Sequence, residues 1–249
     1  MPDSTSGPGR IADAVILDIG ETVLDRTREY AAWAQFFDVP AHTFSAVFGA
    51  MIARGRKVAE VIEYFGATTG VAGGRGERSA GGRSTSGPSY PELLTARRAA
   101  GLDVGITEDD LYTDVRPTLA ALAARGIVVG IAGNQPSSTS DRLRALDLGA
   151  AFIASSTDWG IAKPHPDFFR RAAAEAGASP ERTVYVGDQL RNDVVAPLDA
   201  GLRAVRIRRG PWGLIEHDEA VEASCLAVVD SLAELPRLLE GAAESAPEA

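Results

Sequence analysis

Four short runs of aliphatic and β-branched residues do most to limit what this chain can become. They are Ala14-Val15-Ile16-Leu17, Ile127-Val128-Val129-Gly130-Ile131-Ala132, Thr183-Val184-Tyr185-Val186 and Ala204-Val205-Arg206-Ile207. Such runs, almost without polar alternation, are the pattern of strands buried on both faces, as in a parallel sheet. Phe152-Ile153-Ala154 and Leu226-Ala227-Val228-Val229 are weaker runs of the same kind, and helical spacing lies between them over 118–125, 138–146, 166–176 and 193–200. Parallel strands need crossover connections, so the expected fold class is α/β, a parallel sheet with helices on both faces.

The interval between the first two strong runs breaks this rhythm. From 26 to 107 no strand pattern occurs, while 29–37, 41–54 and 58–64 carry apolar residues at helical spacing. An all-helical insertion over 26–107 is expected, with a core built from 11–25 and 108–249. Within the insertion, residues 66–88 hold eight glycines together with Arg75, Arg78 and Arg83. That composition buries little surface, and a mobile loop is expected there. Its Gly74-x-Gly76 follows no strand and lacks a third glycine, which argues against a dinucleotide fingerprint. Residues 1–10, rich in Pro, Ser and Gly, are expected to form a disordered tail.

Composition excludes several classes of partner. The chain of 249 residues carries 25 Lys+Arg against 34 Asp+Glu, a net charge of −9, so nucleic acid and anionic membranes meet no attractive field. Cys225 is the only cysteine, and His42, His165 and His217 are too scattered for a zinc signature. No run approaches the roughly 20 apolar residues of a membrane span, and the start lacks signal-peptide order. A cytoplasmic location is the expectation. Lys57 and Lys163 are the only lysines and no GxxxxGK occurs, which excludes a nucleotide-binding P-loop.

Ligands of such sheets bind beyond the carboxyl ends of the strands. Past the first run come Asp18-Ile19-Gly20-Glu21-Thr22, past the second Gly133-Asn134-Gln135, and past the third Gly187-Asp188-Gln189-Leu190-Arg191-Asn192-Asp193, with Lys163-Pro164 in a loop between. Three carboxylates, a lysine and an amide on one sheet edge suit metal-assisted phosphoryl transfer. Asp18 is the candidate nucleophile, since a phosphorylated carboxylate splits one hard displacement into two easier ones. Asp18 and Asp188 would supply a hard-oxygen pair for Mg²⁺. Lys163 adds a point charge between phosphate and carboxylates, and Asn134 can donate to a phosphoryl oxygen. A small phosphorylated molecule is the expected partner; oligomeric state has no readable code. Taken singly, an Asp after a strand is often only a turn residue or a helix cap. His165, His217 and the tryptophans Trp33, Trp159 and Trp212 show no ligand spacing and read as structural or surface residues.

Taken in order, Asp18 to Thr22, Gly133-Asn134, Lys163-Pro164 and Asp188 to Asp193 resemble the four motifs of the haloacid dehalogenase-like hydrolases, a likeness that runs from Ile11 to about Leu239. The resemblance implies a Rossmann-like core with a helical cap inserted after the first motif. It also implies a Mg²⁺ site that includes the Gly20 carbonyl, with Gly133, Asn134 and Lys163 facing substrate and Thr22 and Asp193 in support.

Two positions depart from that pattern. Phosphatases of the family usually carry a second Asp two residues after the nucleophile, as acid and base; here that residue is Gly20. Loss of such a group costs on the order of 10²–10⁴ in rate. Glu21 is one position out of phase and Asp25 is farther. Gly133 deletes the hydroxyl the second motif normally carries, so phosphate binding there would rest on backbone N–H groups. The leading expectation is a Mg²⁺-dependent phosphatase of small phosphorylated metabolites. The alternatives are a catalytically weak scaffold or regulator, a dehalogenase-like relative, against which Asp188 and Asp193 argue, and a phosphonate-cleaving relative using Lys57, the one lysine of the insertion.

Overall fold

The computed structural model describes residues 10–71 and 87–240. Residues 1–9 of the disordered tail expected over 1–10, and residues 72–86 of the mobile loop expected over 66–88, lie outside them. Arg10 is described, and it is fastened: it pairs with Asp13 at 2.9 Å and forms an antiparallel bridge with Glu240. The expectation of disorder is therefore corrected at Arg10.

The elements run β1 (Ala14–Leu17), α1 (Thr27–Phe36), α2 (Ala41–Ile52), α3 (Val58–Thr69), α4 (Tyr90–Ala99), α5 (Val115–Ala124), β2 (Val128–Gly133), α6 (Ser137–Ala145), β3 (Phe152–Ser155), α7 (Ser156–Trp159) and α8 (Pro166–Glu175). They continue with β4 (Thr183–Gly187), a π-helical turn at Leu190–Val195, α9 (Ala196–Asp199), β5 (Arg203–Ile207), α10 (Gly210–Ile215), α11 (Glu219–Ala223), β6 (Ala227–Val229) and α12 (Leu235–Leu238). The helix expected over 193–200 is thus a π turn that passes into α9.

All six strands pair in parallel in the order β3-β2-β1-β4-β5-β6. Chain order reverses direction between β1 and β4, the switch point where such sheets open a crevice at their carboxyl ends. β1 is buried along its whole length, and period-two alternation divides its side chains between two cores. Val15 and Leu17 join Val129, Ile131, Val184, Val186, Leu119 and Leu122 on one face; Ala14 and Ile16 join Phe168, Phe169, Ala172 and Tyr185 on the other. Apolar residues on both faces explain why β1 reads as an unbroken aliphatic run.

The chain divides into two compact units, residues 26–105 and the remainder. In the unit of 26–105 the described elements are α1 to α4. Its core is aromatic: Trp33 stacks on Phe37 at 5.5 Å, Phe37 on Phe65 at 5.5 Å and Phe65 on Phe44 at 4.8 Å. The loop expected from Gly66 onward is corrected at its start, because α3 continues to Thr69 and ends on Gly70 at φ +70°. Gly66 is a packing glycine: a Cβ there would fall 2.8 Å from Leu93 Cδ1 of α4. α4 itself carries a legible signal in Ser89-Tyr90-Pro91-Glu92, where Glu92 Oε2 accepts from the Ser89 N–H and hydroxyl, both at 2.7 Å.

One acid in the core unit predicts a pH effect. Burial works against the Asp158 charge, but hydrogen bonds from Ser137, Ser140 and the Ser155 N–H outweigh it and hold the carboxyl well below the usual carboxylate range. A carboxyl whose pKa falls on folding adds stability above its unfolded value, and that stability disappears as pH falls through the folded value. Thermal melts of wild type and Asp158→Asn are therefore expected to differ fully above about pH 5 and to converge as pH falls below about 4.

Candidate active site

Three of the strand-end carboxylates converge. One oxygen each of Asp18, Asp188 and Asp193 lies within 4.8 Å of the others, and all three residues are buried. Asp18 follows β1 and its N–H donates to the Val186 carbonyl of β4 at 2.8 Å, which ties the residue to the switch point. Lys163 enters from the loop before α8, and its Nζ donates to Asp18 Oδ1 at 2.7 Å and to Asp193 Oδ1 at 2.6 Å. Burial alone would lower the lysine pKa, but Asp18 and Asp193 outweigh it and hold the ammonium well above its ordinary value.

Asp193 is fully engaged: Oδ2 accepts the Gln189 N–H at 2.9 Å while Oδ1 holds Lys163. Its close approach requires Gly187, where a Cβ would fall 2.4 Å from Asp193 Cγ. Asp188 differs. It is 1 % exposed, and neither carboxylate oxygen has a hydrogen-bond partner among the described residues. Burial first, and then the neighbouring charges of Asp193 and Asp18, push its pKa well above the ordinary carboxylate value. A buried carboxylate without a donor is unfavourable. A hard divalent cation with oxygen ligands is the complement that this donor set fits.

Asn134 Nδ2 donates to the Lys163 carbonyl and its Oδ1 accepts the Lys163 N–H, both at 2.8 Å. This two-point clamp positions the lysine and leaves the second N–H of Nδ2 for another acceptor. Gly133 ends β2 directly against the nucleophile candidate: a Cβ there would lie 2.4 Å from Asp18 Oδ1. Thr22 is fully buried, and its carbonyl accepts from Arg209 Nη1 at 3.2 Å.

Glu21 is held in place rather than presented. It sits at φ +56°, 4 % exposed, and its Oε2 accepts from the Tyr112 hydroxyl at 2.7 Å. Gly210 packs so closely that a Cβ would fall 2.4 Å from Glu21 Cγ. Arg209 stacks over the Tyr112 ring at 4.3 Å and pairs with Asp114, so the turn after β1 is buttressed from segments far along the chain. Pattern reading did not reveal Tyr112, Arg209 or Tyr185 as part of this region. Nothing local marks them, because their partners lie roughly 90 to 190 residues away in the sequence.

Sheet order and the acidic strand-end cluster together define a doubly wound α/β enzyme. The chain belongs to the haloacid dehalogenase-like hydrolases, whose family model matches residues 12–201. It is 34% identical over 125 residues to a glyceraldehyde 3-phosphate phosphatase of Methanopyrus kandleri, covering 49% of this chain and 54% of that one. It is 33% identical over 117 residues to a phosphoglycolate phosphatase of Escherichia coli, covering 46% and 44%. The chain thus spans about half the length of the curated relatives it matches. Among solved structures, the magnesium-bound hydrolase YfnB of Bacillus subtilis superposes with a TM-score of 0.66 at 18% identity, over 92% of this chain and 98% of that one. No described helix is long and apolar enough to cross a membrane.

Proposed function

We propose that the protein is a Mg²⁺-dependent phosphatase that hydrolyses a small phosphomonoester through a phosphorylated Asp18. The observation that carries this is the Asp188 carboxylate, buried and without a hydrogen-bond donor beside an Asp18 already paired with Lys163. The phosphatase relatives support the same reading.

Asp18, the Gly20 carbonyl and Asp188 would hold Mg²⁺, which when bound neutralises phosphate charge. Lys163 holds Asp18 through its bond to Oδ1. A bond from an Asp18 carboxylate oxygen to phosphorus forms as the bond to the leaving oxygen breaks, and that alkoxide takes its proton from solvent. Water then attacks phosphorus, inorganic phosphate leaves, and the Asp18 carboxylate is restored. The helical unit of 26–105 is assigned as the cap, whose residues select the substrate.

Gly20 divides this reading from an inert scaffold. Without an acid at that position, an aryl phosphate, whose leaving group needs little protonation, should turn over better than an alkyl phosphate of similar fit. Gly20 lies outside the positive-φ set that includes its neighbour Glu21. Gly20→Asp is therefore expected to raise alkyl-phosphate turnover by about 10–10²-fold and aryl-phosphate turnover much less. A panel of phosphorylated metabolites and p-nitrophenyl phosphate, with and without Mg²⁺, is the test. Wild type and variant both inactive on the whole panel would replace the phosphatase with the scaffold.

A further inference from the structure

α4 buries two side chains, Leu93 and Arg97, four residues apart and therefore on one face of the helix. Leu93 is what an inward position ordinarily holds. A guanidinium there is costly unless its N–H groups find acceptors. Arg97 is 5 % exposed, and among the described residues its Nε and Nη1 have no hydrogen-bond partner. Trp33 of α1 covers one face of the guanidinium, with Cζ 4.2 Å from the ring centroid, and the Tyr90 ring lies 6.2 Å from that of Trp33. A stacked ring supports the charge, but the five N–H groups point outward in the guanidinium plane and still need acceptors. The carboxylates that act on Arg97 have other partners. Glu29 Oε2 accepts from Arg26 Nε at 2.9 Å and from Nη2 at 2.6 Å, and the Trp33 indole also donates to Glu29. Asp103 lies 3.9 Å from Arg98. Arg26 and Arg97 thus share the charge of one carboxylate, and one positive charge is left over. Burial pushes the Arg97 pKa below its ordinary value, against the attraction of Glu29. All of these residues belong to the unit of 26–105.

We propose that Arg97 is the receptor for a carboxylate ligand, in a site within the helical unit that has Trp33 as its floor. The class of ligand follows from charge and shape. A monoanion cancels the one residual charge, whereas a phosphate dianion would bury a negative charge in its place. A flat, two-oxygen anion matches the in-plane donors of a guanidinium stacked on a ring. The carboxylate belongs either to the far end of the substrate, which is then a phosphorylated acid, or to a free acid. Only the first of these rests on the phosphatase reading above.

The test follows the Arg97 Nε–H and Trp33 indole N–H resonances of the full chain in Mg²⁺ by ¹H–¹⁵N NMR. The arginine resonance is assigned by its loss in Arg97→Lys and in Arg97→Met, the second of which keeps an apolar stem over Trp33. Glycolate is expected to shift both resonances saturably, with a Kd of about 1–10 mM, while sulfate at equal ionic strength leaves them in place. In Arg97→Met the indole resonance is expected to ignore glycolate. Resonances of the wild type that do not move with glycolate or 3-phosphoglycerate up to about 50 mM would overturn the site, and an equal response to sulfate would overturn the carboxylate class. Turnover separates the two sources, through kcat/KM for 3-phosphoglycerate and for glycerol 3-phosphate, which carries a hydroxymethyl group in place of the carboxylate. A preference for the acid of about 10-fold or more that Arg97→Met abolishes through KM assigns the site to substrate. Equal turnover of the two, with glycolate still bound, assigns it to a free acid. A preference that survives Arg97→Met overturns the substrate assignment. If the wild type hydrolyses no phosphomonoester, the phosphatase reading fails, and the titration with glycolate still decides the site.

Discussion

Asp18→Asn is expected to lower Mg²⁺-dependent phosphatase turnover by at least about 10³-fold while leaving the melting temperature within a few degrees of wild type. The amide keeps the shape of the carboxylate and its Oδ1 can still accept from Lys163, whose contact there is 2.7 Å. It has no charged oxygen with which to attack phosphorus. The substitution also removes one of three acids grouped within 4.8 Å, which eases their mutual repulsion and offsets the weaker bond to Lys163. Turnover above about a tenth of wild type would move the nucleophile elsewhere.

Asp188→Asn should act in opposite directions on stability and on turnover. In the presence of a chelator the variant is expected to melt at least about 3 °C higher than wild type, because an unpaired buried carboxylate costs on the order of 1–3 kcal/mol and roughly 1 kcal/mol corresponds to 2–4 °C at this chain length. The same variant should lose the upward shift in melting temperature that Mg²⁺ confers on wild type, and about 10²-fold or more of the turnover. Melts in EDTA and in millimolar Mg²⁺ decide the stability gain and the lost Mg²⁺ response without an activity measurement, and kcat in Mg²⁺ decides the rest. A variant that melts lower in EDTA and still responds to Mg²⁺ would remove Asp188 from the metal site.

Particular residues show how far pattern alone reached. β1 could be recognised because Ala14, Val15, Ile16 and Leu17 are all buried and a two-sided core leaves no polar position in the run. α4 was missed, although Ser89 and Glu92 form a capping box at its start, because the glycine-rich stretch before it drew the reading toward a loop. Gly66 shows why: a glycine count cannot separate a residue that loosens a loop from one that admits Leu93 at 2.8 Å. In the site, Asp18, Lys163, Asp188 and Asp193 could be selected as candidates because each follows a strand or lies in an adjoining loop. The clamp that Asn134 makes could not be read, since its two bonds go to the backbone of Lys163, 29 residues on.

What the sequence determined by itself is the order of strands and crossovers and the residues placed at their carboxyl ends, because both follow from local periodicity and from the handedness of parallel connections. Only the tertiary structure decided which oxygen each acid uses. Asp193 is consumed by Lys163 and Gln189, Glu21 by Tyr112, and Asp188 alone of these acids is left without a donor. The physical reason is that hydrogen bonds saturate. Which of several carboxylates keeps a free oxygen depends on donors that approach from distant segments, and on glycines that allow them to come that close.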